Sequence, residues 1–319
     1  MLKLQLGKTA VGTKVHRCGW PYAMRALQLL HSNTGVFCED FVERQFGWEK
    51  GGRPICVPWV GFAHNPHDQP FWWQPDERPQ WFTLQPQWSK SEPNLQLLFV
   101  LSDYLAGFYR ERLSCPVVAL RHPTEIPDLT WRPEFFLANK DRKVIQIGYW
   151  VRNLQALYQL PPIPGYTKMK PLYTDDHIKR LEAAVWGYWQ DQGTRPIRDT
   201  AVELYRRFDD DAYDVLLSRN VMFLELLGTS ANNAVIECVA RNTPLIVNRH
   251  PAVEEYLGKD YPLFYDHFEE AEGLFTDDKI LAAYEYLTVL DKTWLSGAAF
   301  RLEVRKALTK HLGLSLVTI

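Results

Sequence analysis

Residues 226–258 read LLGTSANNAVIECVARNTPLIVNRHPAVEEYLG. An apolar run closes at Leu227-Gly228, the small polar turn Thr229-Ser230-Ala231-Asn232-Asn233 follows, and Ala234 to Arg241 returns to apolar residues at helical spacing. Pro244 to Val247 is then a short strand, and Val253 to Leu257 a further helical segment. Strand, turn, helix and strand in this order form a βαβ unit, which needs a parallel sheet covered on both faces. The turn places backbone N–H groups at a positive helix terminus beside the C-terminal end of a strand, an arrangement that binds phosphate. Glu237 follows about one turn into the helix, where an acceptor-only carboxylate suits a pair of ribose hydroxyls. The bland alternative for Glu237 is a solvent-facing position on an amphipathic helix.

The same rhythm runs through the second half of the chain. Val144 to Tyr149, Ala201 to Tyr205, Val221 to Leu227 and Tyr261 to Phe264 read as strands. Thr174 to Gln190, Asp211 to Leu217, Asp278 to Leu290 and Trp294 to Leu312 read as helices. In the first half, Pro21 to Leu30 and Tyr104 to Leu113 look helical, and Ile55 to Phe62, Leu97 to Leu101 and Val117 to Leu120 look like strands. Trp59, Trp72, Trp73, Trp81 and Trp88 stand among six prolines in a stretch that reads as a long ordered loop. Residues 121–142, with Pro123, Pro127 and Pro133 and a charged end, read as a linker. The expected fold is α/β with domains at 1–142 and 143–319.

The chain of 319 residues has 46% apolar and 23% charged residues, which excludes disordered and coiled-coil classes. Its 36 basic against 38 acidic side chains give a formal charge of −2, without the basic excess that a phosphate backbone attracts, so no nucleic-acid partner is expected. Cys18, Cys38, Cys56, Cys115 and Cys238 are odd in number and widely spaced, which argues against a disulfide framework and points to the cytoplasm. No stretch has the length of apolar sequence that spans a bilayer, although exposed aromatics leave a peripheral membrane contact open. His64, His67 and Asp68 lack a third or fourth ligand, so no metal is expected, and no Gly-x-Gly-x-x-Gly follows a strand.

The 226–258 stretch resembles the retaining nucleotide-sugar glycosyltransferases of the GT-B fold. Glu237 matches the second glutamate of their Glu-x7-Glu motif, Asn242 to Val247 matches the strand behind it, and Glu255 falls at a later acidic position. The first glutamate is replaced by Thr229. Val144 to Asn153 looks like the strand and loop that open the family's C-terminal domain, with Arg152 beside Gly148 as the diphosphate clamp and Lys168 or Lys170 as a second cation. Lys14 to Trp20 looks like the family's glycine loop, with Gly19 approaching the donor, and His64 follows an N-domain strand where a histidine touches the donor sugar. From the residues alone, Arg152 reads equally well as a surface cation.

The resemblance implies two Rossmann-like domains facing across a cleft, with the last helix, 294–312, returning to the first domain. It implies a hexosyltransferase-like enzyme that moves a sugar from a nucleotide diphosphate to an acceptor hydroxyl, with retention, without a metal and without a cofactor. His64 and Arg152 are its candidate catalytic residues, and Gly19, Gly148, Arg152, Lys168, Thr229, Ser230, Ala231, Asn232, Asn233 and Glu237 its candidate donor contacts. Trp59, Trp72 and Trp73 are candidates for the acceptor groove, because indole faces pack on pyranose rings; core packing is their other reading. The acceptor, whether glycan, protein, lipid-linked or small molecule, is not legible. A GT-B nucleotide-sugar epimerase and a non-catalytic sugar-binding protein on a decayed transferase fold are the alternatives.

Overall fold

A computed structural model describes residues 3–7, 19–48, 52–193, 195–206 and 208–313. They form two compact units. The first takes the described residues up to Glu125, Thr229–Asn233 and the described residues from Lys292 on; the second takes Ile126–Gly228 and Ala234–Asp291.

The first unit is built on a five-stranded parallel sheet of β1 (Leu4–Leu6), β2 (Val36–Glu39), β3 (Trp59–Ala63), β4 (Leu95–Val100) and β5 (Val117–Ala119), in that spatial order. Every residue of β3 is buried, as a central parallel strand covered on both faces requires. On one face Val60, Phe62 and Phe99 pack against Met24 and Leu27 of the helix Trp20–Leu27 and against Phe300 and Val304 of the helix Gly297–Leu312. A Cβ at Gly297 would stand 2.8 Å from that of Ala26, so glycine is what lets these helices approach. On the other face Trp59, Trp88, Phe46 and Phe82 pack with Leu98 and Tyr109. The proline- and tryptophan-rich stretch between β3 and β4 thus gives Phe82 and Trp88 to the core from the short helices Pro79–Phe82 and Pro86–Ser91, each with proline in its first turn.

The second unit is a six-stranded parallel sheet. Its strands are β6 (Arg142–Ile145), β7 (Tyr166–Pro171), β8 (Val202–Tyr205), β9 (Val221–Leu224), β10 (Leu245–Asn248) and β11 (Phe264–Tyr265), ordered β11-β10-β9-β6-β7-β8. From β6 the chain winds outward through β7 and β8, and from β9 it winds the opposite way through β10 and β11. Strand order therefore reverses between β6 and β9. Of the stretch 121–142, expected as linker, the part from Ile126 on packs with this unit: Pro133 opens a helix to Ala138, and Trp131 is fully buried, its indole donating to the Asn220 carbonyl at 3.0 Å. Among the described residues no helix is long and apolar enough to cross a membrane.

Trp131 also packs on Phe136 and Tyr284, with ring centroids 5.2 and 5.0 Å away. Trp131→Ala is expected to destabilise the second unit by about 3–5 kcal/mol through the cavity and the orphaned carbonyl. Urea denaturation would read this as a lowered midpoint, whereas a true linker residue would leave the midpoint unchanged.

Candidate functional site

Ligands of open parallel sheets bind outside the C-terminal ends of the strands where the order reverses. In the second unit these are the ends of β6 and β9. After β6 the chain turns through Gly148 at φ 67° and Val151 at φ 47°, both in the left-handed region. For a β-branched residue that conformation costs on the order of 1–3 kcal/mol and persists only where neighbours enforce it. Here they do: Leu227 N donates to Val151 O and Asn153 N to Glu225 O, both at 2.9 Å, and Arg152 bridges Leu226. Asn248 fixes Leu226 in turn, accepting from its N–H at 2.7 Å and donating to its carbonyl at 3.0 Å.

The Arg152 guanidinium lies against Gly148: a Cβ there would be 2.2 Å from its Nη1. Arg152 is buried, and desolvation lowers its pKa from the usual value, opposed by Tyr173, Glu237, Tyr213 and Tyr149 around it. Tyr173 donates its hydroxyl to the Gly148 carbonyl at 2.8 Å. Glu237, buried in the helix Asn233–Arg241, accepts from the Tyr213 hydroxyl. Tyr213 is placed by its neighbour Asp214, whose carboxylate is held by Arg241 Nε and Nη2 at 3.2 and 2.9 Å. A buried cation, a buried carboxylate and a ring of phenols thus surround the end of β6.

Beneath the loop is a polar network. Asn153 donates to Gln159 at 2.7 Å and to Glu225 at 2.6 Å, and Glu225 also pairs with Arg195. Burial raises the Glu225 pKa, and Arg195 opposes it. Lys168 and Lys170 tie the next turn to β7: Lys168 donates to Leu160 O and pairs with Asp199 at 2.9 Å, and Lys170 donates to Leu154 O at 2.6 Å and pairs with Glu182. This corrects the expectation for Lys168 and Lys170 as donor cations, because their ammonium groups are already spent on the fold.

In the first unit His64 ends the β3 segment. Its ring stacks on Phe41 at 4.0 Å, meets Trp20 edge-on at 4.3 Å and donates Nε2–H to the Asp40 carbonyl at 3.0 Å. A carbonyl only accepts, so Nε2 carries the proton and Nδ1 is the lone-pair face. Burial lowers the His64 pKa to about 3, helped by His122 and Arg44. Fully buried Glu43 accepts from His64 N at 2.6 Å and Asn65 N at 2.7 Å, fixing the turn. Ser230 donates its hydroxyl to the His64 carbonyl, and a Cβ at Gly19, φ 83°, would lie 3.1 Å from Asn233 Nδ2. Gly19, His64, Ser230 and Asn233, expected on separate grounds, are therefore neighbours within one unit.

The other expected residues fall as follows. Thr229 and Asn232 are buried and Ala231 is partly exposed in the same turn. Trp59 and Trp73 are fully buried, so neither offers a face to an acceptor; Trp59 instead donates its indole N–H to Ser91 O at 2.9 Å. Trp72 alone of the three is half-buried. Residues 14–18 of the expected glycine loop lie outside the described residues. Among the described residues no group of three histidine, cysteine or acidic side chains is arranged to hold a metal ion. Sequence reading missed Tyr173, Tyr213, Trp20 and Phe41, since nothing local marks them; each acts on a residue far along the chain.

No protein-family model and no curated protein matches the chain by sequence. Solved structures match it by fold. Trehalose-6-phosphate synthase OtsA aligns over 92% of this chain and 76% of its own, at 12% identity and TM-score 0.56. Anabaena HepE in complex with UDP-glucose aligns over 79% and 72%, at 13% identity and TM-score 0.56. Sucrose-phosphate synthase from Thermosynechococcus elongatus aligns over 87% and 72%, at 12% identity and TM-score 0.53. These neighbours are GT-B glycosyltransferases, and the two-sheet α/β fold of this chain is theirs.

The titratable groups of the first unit give a pH signature. Burial lifts Glu43 to about 7 and Glu77 to about 8, the latter also through Glu43, so their share of stability is present below the ordinary 4.5 and lost as pH rises through those values. His64 and His122, lowered by burial to about 3 and about 4, act oppositely: their share is present above 6.5 and lost as pH falls. Between pH 6.5 and 8 the acids set the slope, and stability is expected to fall. Urea midpoints across that window should flatten in Glu77→Gln; an unchanged slope would remove Glu77 as a cause.

Proposed function

We propose that this protein is a nucleotide-sugar glycosyltransferase whose donor diphosphate and ribose are held at the end of β6 and by Glu237. The observation that carries the reading is the buried Arg152 seated on Gly148 at the reversal of strand order, with buried Glu237 among its electrostatic neighbours. A guanidinium that remains charged despite burial provides two parallel donors for phosphate oxygens, and a desolvated site strengthens each bond. HepE, one of the structural neighbours, is in complex with UDP-glucose, which makes UDP-sugars the first donors to try.

In the transfer, the bond from the anomeric carbon to the diphosphate oxygen breaks and one from the acceptor oxygen forms. Negative charge accumulates on the departing diphosphate, where Arg152 stabilises it more in the transition state than in the ground state. The acceptor proton passes to that diphosphate, so no residue need titrate and no metal is required. In the first unit His64, neutral throughout the physiological range, is a candidate hydrogen-bonding group for a sugar. Glu237 takes the ribose hydroxyls, with Tyr213 fixing one carboxylate oxygen. In the first unit, Gly19 and the Thr229–Asn233 turn are the candidate donor contacts that the resemblance names, and the anomeric configuration is retained. A sugar-binding protein without turnover is the second reading, favoured by Thr229 standing where the resemblance expects the first glutamate.

Thermal shift and free-nucleotide release with UDP-glucose and GDP-, ADP-, CMP- and dTDP-sugars would test this. One donor should raise Tm by mass action and be turned over slowly to nucleotide. Glu237→Ala and Arg152→Ala should each weaken that donor about 10–100-fold, the loss of a charge-assisted hydrogen-bond set. Tyr213→Phe should raise the donor KM several-fold with kcat little changed, because it removes support for the carboxylate and not a group that meets the reacting atoms. Stabilisation without release, with acceptors supplied, selects the binding protein; no response to any donor overturns both readings.

A further inference from the structure

β5 is the outer strand of the first sheet, and one of its two hydrogen-bonding edges faces away from β4. Leu98 N donates to Pro116 O and Leu120 N to Val100 O, at 3.0 and 2.8 Å. By the alternation of a parallel ladder, Val118 also turns both peptide groups to β4, and Val117 and Ala119 turn theirs outward. The Val117 carbonyl is covered by Arg110 Nε at 3.3 Å. Among the described residues the outward N–H and C=O of Ala119 have no partner.

Beside this edge runs a groove of about 530 Å³, bounded on its far side by the helix Gly297–Leu312. Its floor is apolar, made by Val118, Leu120 and Phe300, and the small side chains of Ala299 and Ala307 leave room on the helix side. Its rim is cationic. Lys306 and Lys310 stand on the helix and Arg121 lies over the Trp294 ring at 5.4 Å, against the single carboxylate Glu303, 2.7 Å from Lys306.

We propose that this groove receives an extended, acidic segment of a partner protein as a sixth strand on β5. An added strand satisfies the outward peptide groups of Ala119, its inward-facing apolar side chains cover the floor of Val118, Leu120 and Phe300, and its acidic residues meet Lys306, Lys310 and Arg121. Charge complementarity selects this occupant over a second copy of β5, whose own rim carries the same cations and would repel. The groove shares no residue with the proposed donor site, so the inference does not rest on the transferase reading.

The test uses the full chain and two fluorescein-labelled peptides of about ten residues, one alternating valine with glutamate and one alternating valine with lysine, read by fluorescence anisotropy at low salt. The valine-glutamate peptide should bind at least about tenfold tighter than the other. Lys306→Glu with Lys310→Glu should reverse that preference, and Ala119→Pro, which removes the outward N–H at an edge position that tolerates proline, should weaken binding about tenfold. Unchanged far-UV circular dichroism and Tm would show that the variants fold. Binding of neither peptide, equal binding of both, or binding indifferent to Ala119→Pro would overturn the proposal. So would a concentration-dependent dimer in sedimentation that Ala119→Pro abolishes, which would give the edge to a second copy.

Discussion

The guanidinium of Arg152 occupies the space that any side chain at position 148 would need. That exclusion organises the loop after β6. Glycine there admits both the left-handed backbone and the arginine, and the reversal of strand order falls at the same point. The strain at Val151 is sustained by the bonds to Glu225 and Leu227, which exist only because the extension of β9 is itself clamped by Asn248. Desolvating a guanidinium is costly, and the phenols and carboxylate about Arg152 offset part of that cost in the folded chain. A phosphate dianion would offset more, which is the physical ground of the proposed diphosphate contact.

The first unit uses the opposite device. There the buried titratable groups are mainly acids, and they serve as hydrogen-bond acceptors for backbone amides. Glu43 supports the turn that carries His64, and Asp40 contributes its carbonyl to the imidazole while its carboxylate pairs with Arg44 at 2.9 Å. The histidine is thereby fixed in one tautomer and kept neutral, and its carbonyl is tied to the Ser230 hydroxyl. Placement here comes from packing and acceptors, with the aromatic faces of Trp20 and Phe41 setting the plane of the ring.

Legibility followed burial. β9 and β10 are buried on both faces, so they stand in the sequence as unbroken apolar runs. β7 was not legible because Lys168 and Lys170 sit at its inward positions, and their neutralisation by Asp199 and Glu182 is a long-range fact. β1 and β2, of three and four residues, are too short for periodicity to register. The tryptophan-rich stretch looked like a loop because proline breaks its pattern, yet Pro79 and Pro86 each start a short helix, and Phe82 and Trp88 on these helices face inward. The residues of the turn 229–233 and Glu237 could be named from the sequence, since a strand-turn-helix junction is local. Tyr213 and Tyr173 could not, since they reach the site from separate βα units.

One ambiguity of the sequence is settled by geometry. A helical glutamate is most often solvated, and on an amphipathic helix Glu237 would need an exposed face. Ala234 through Arg241 are all buried, so this helix has no such face after its first residue. A carboxylate kept inside a covered helix must be offset by donors, and Tyr213 donates to it, with Arg152 and Arg241 acting on it through space. Core packing alone would be served better by an apolar residue of similar volume at this position. A carboxylate kept on a buried helix is thus held for its charge and its acceptor oxygens rather than for packing, which is the physical ground of the proposed ribose contact.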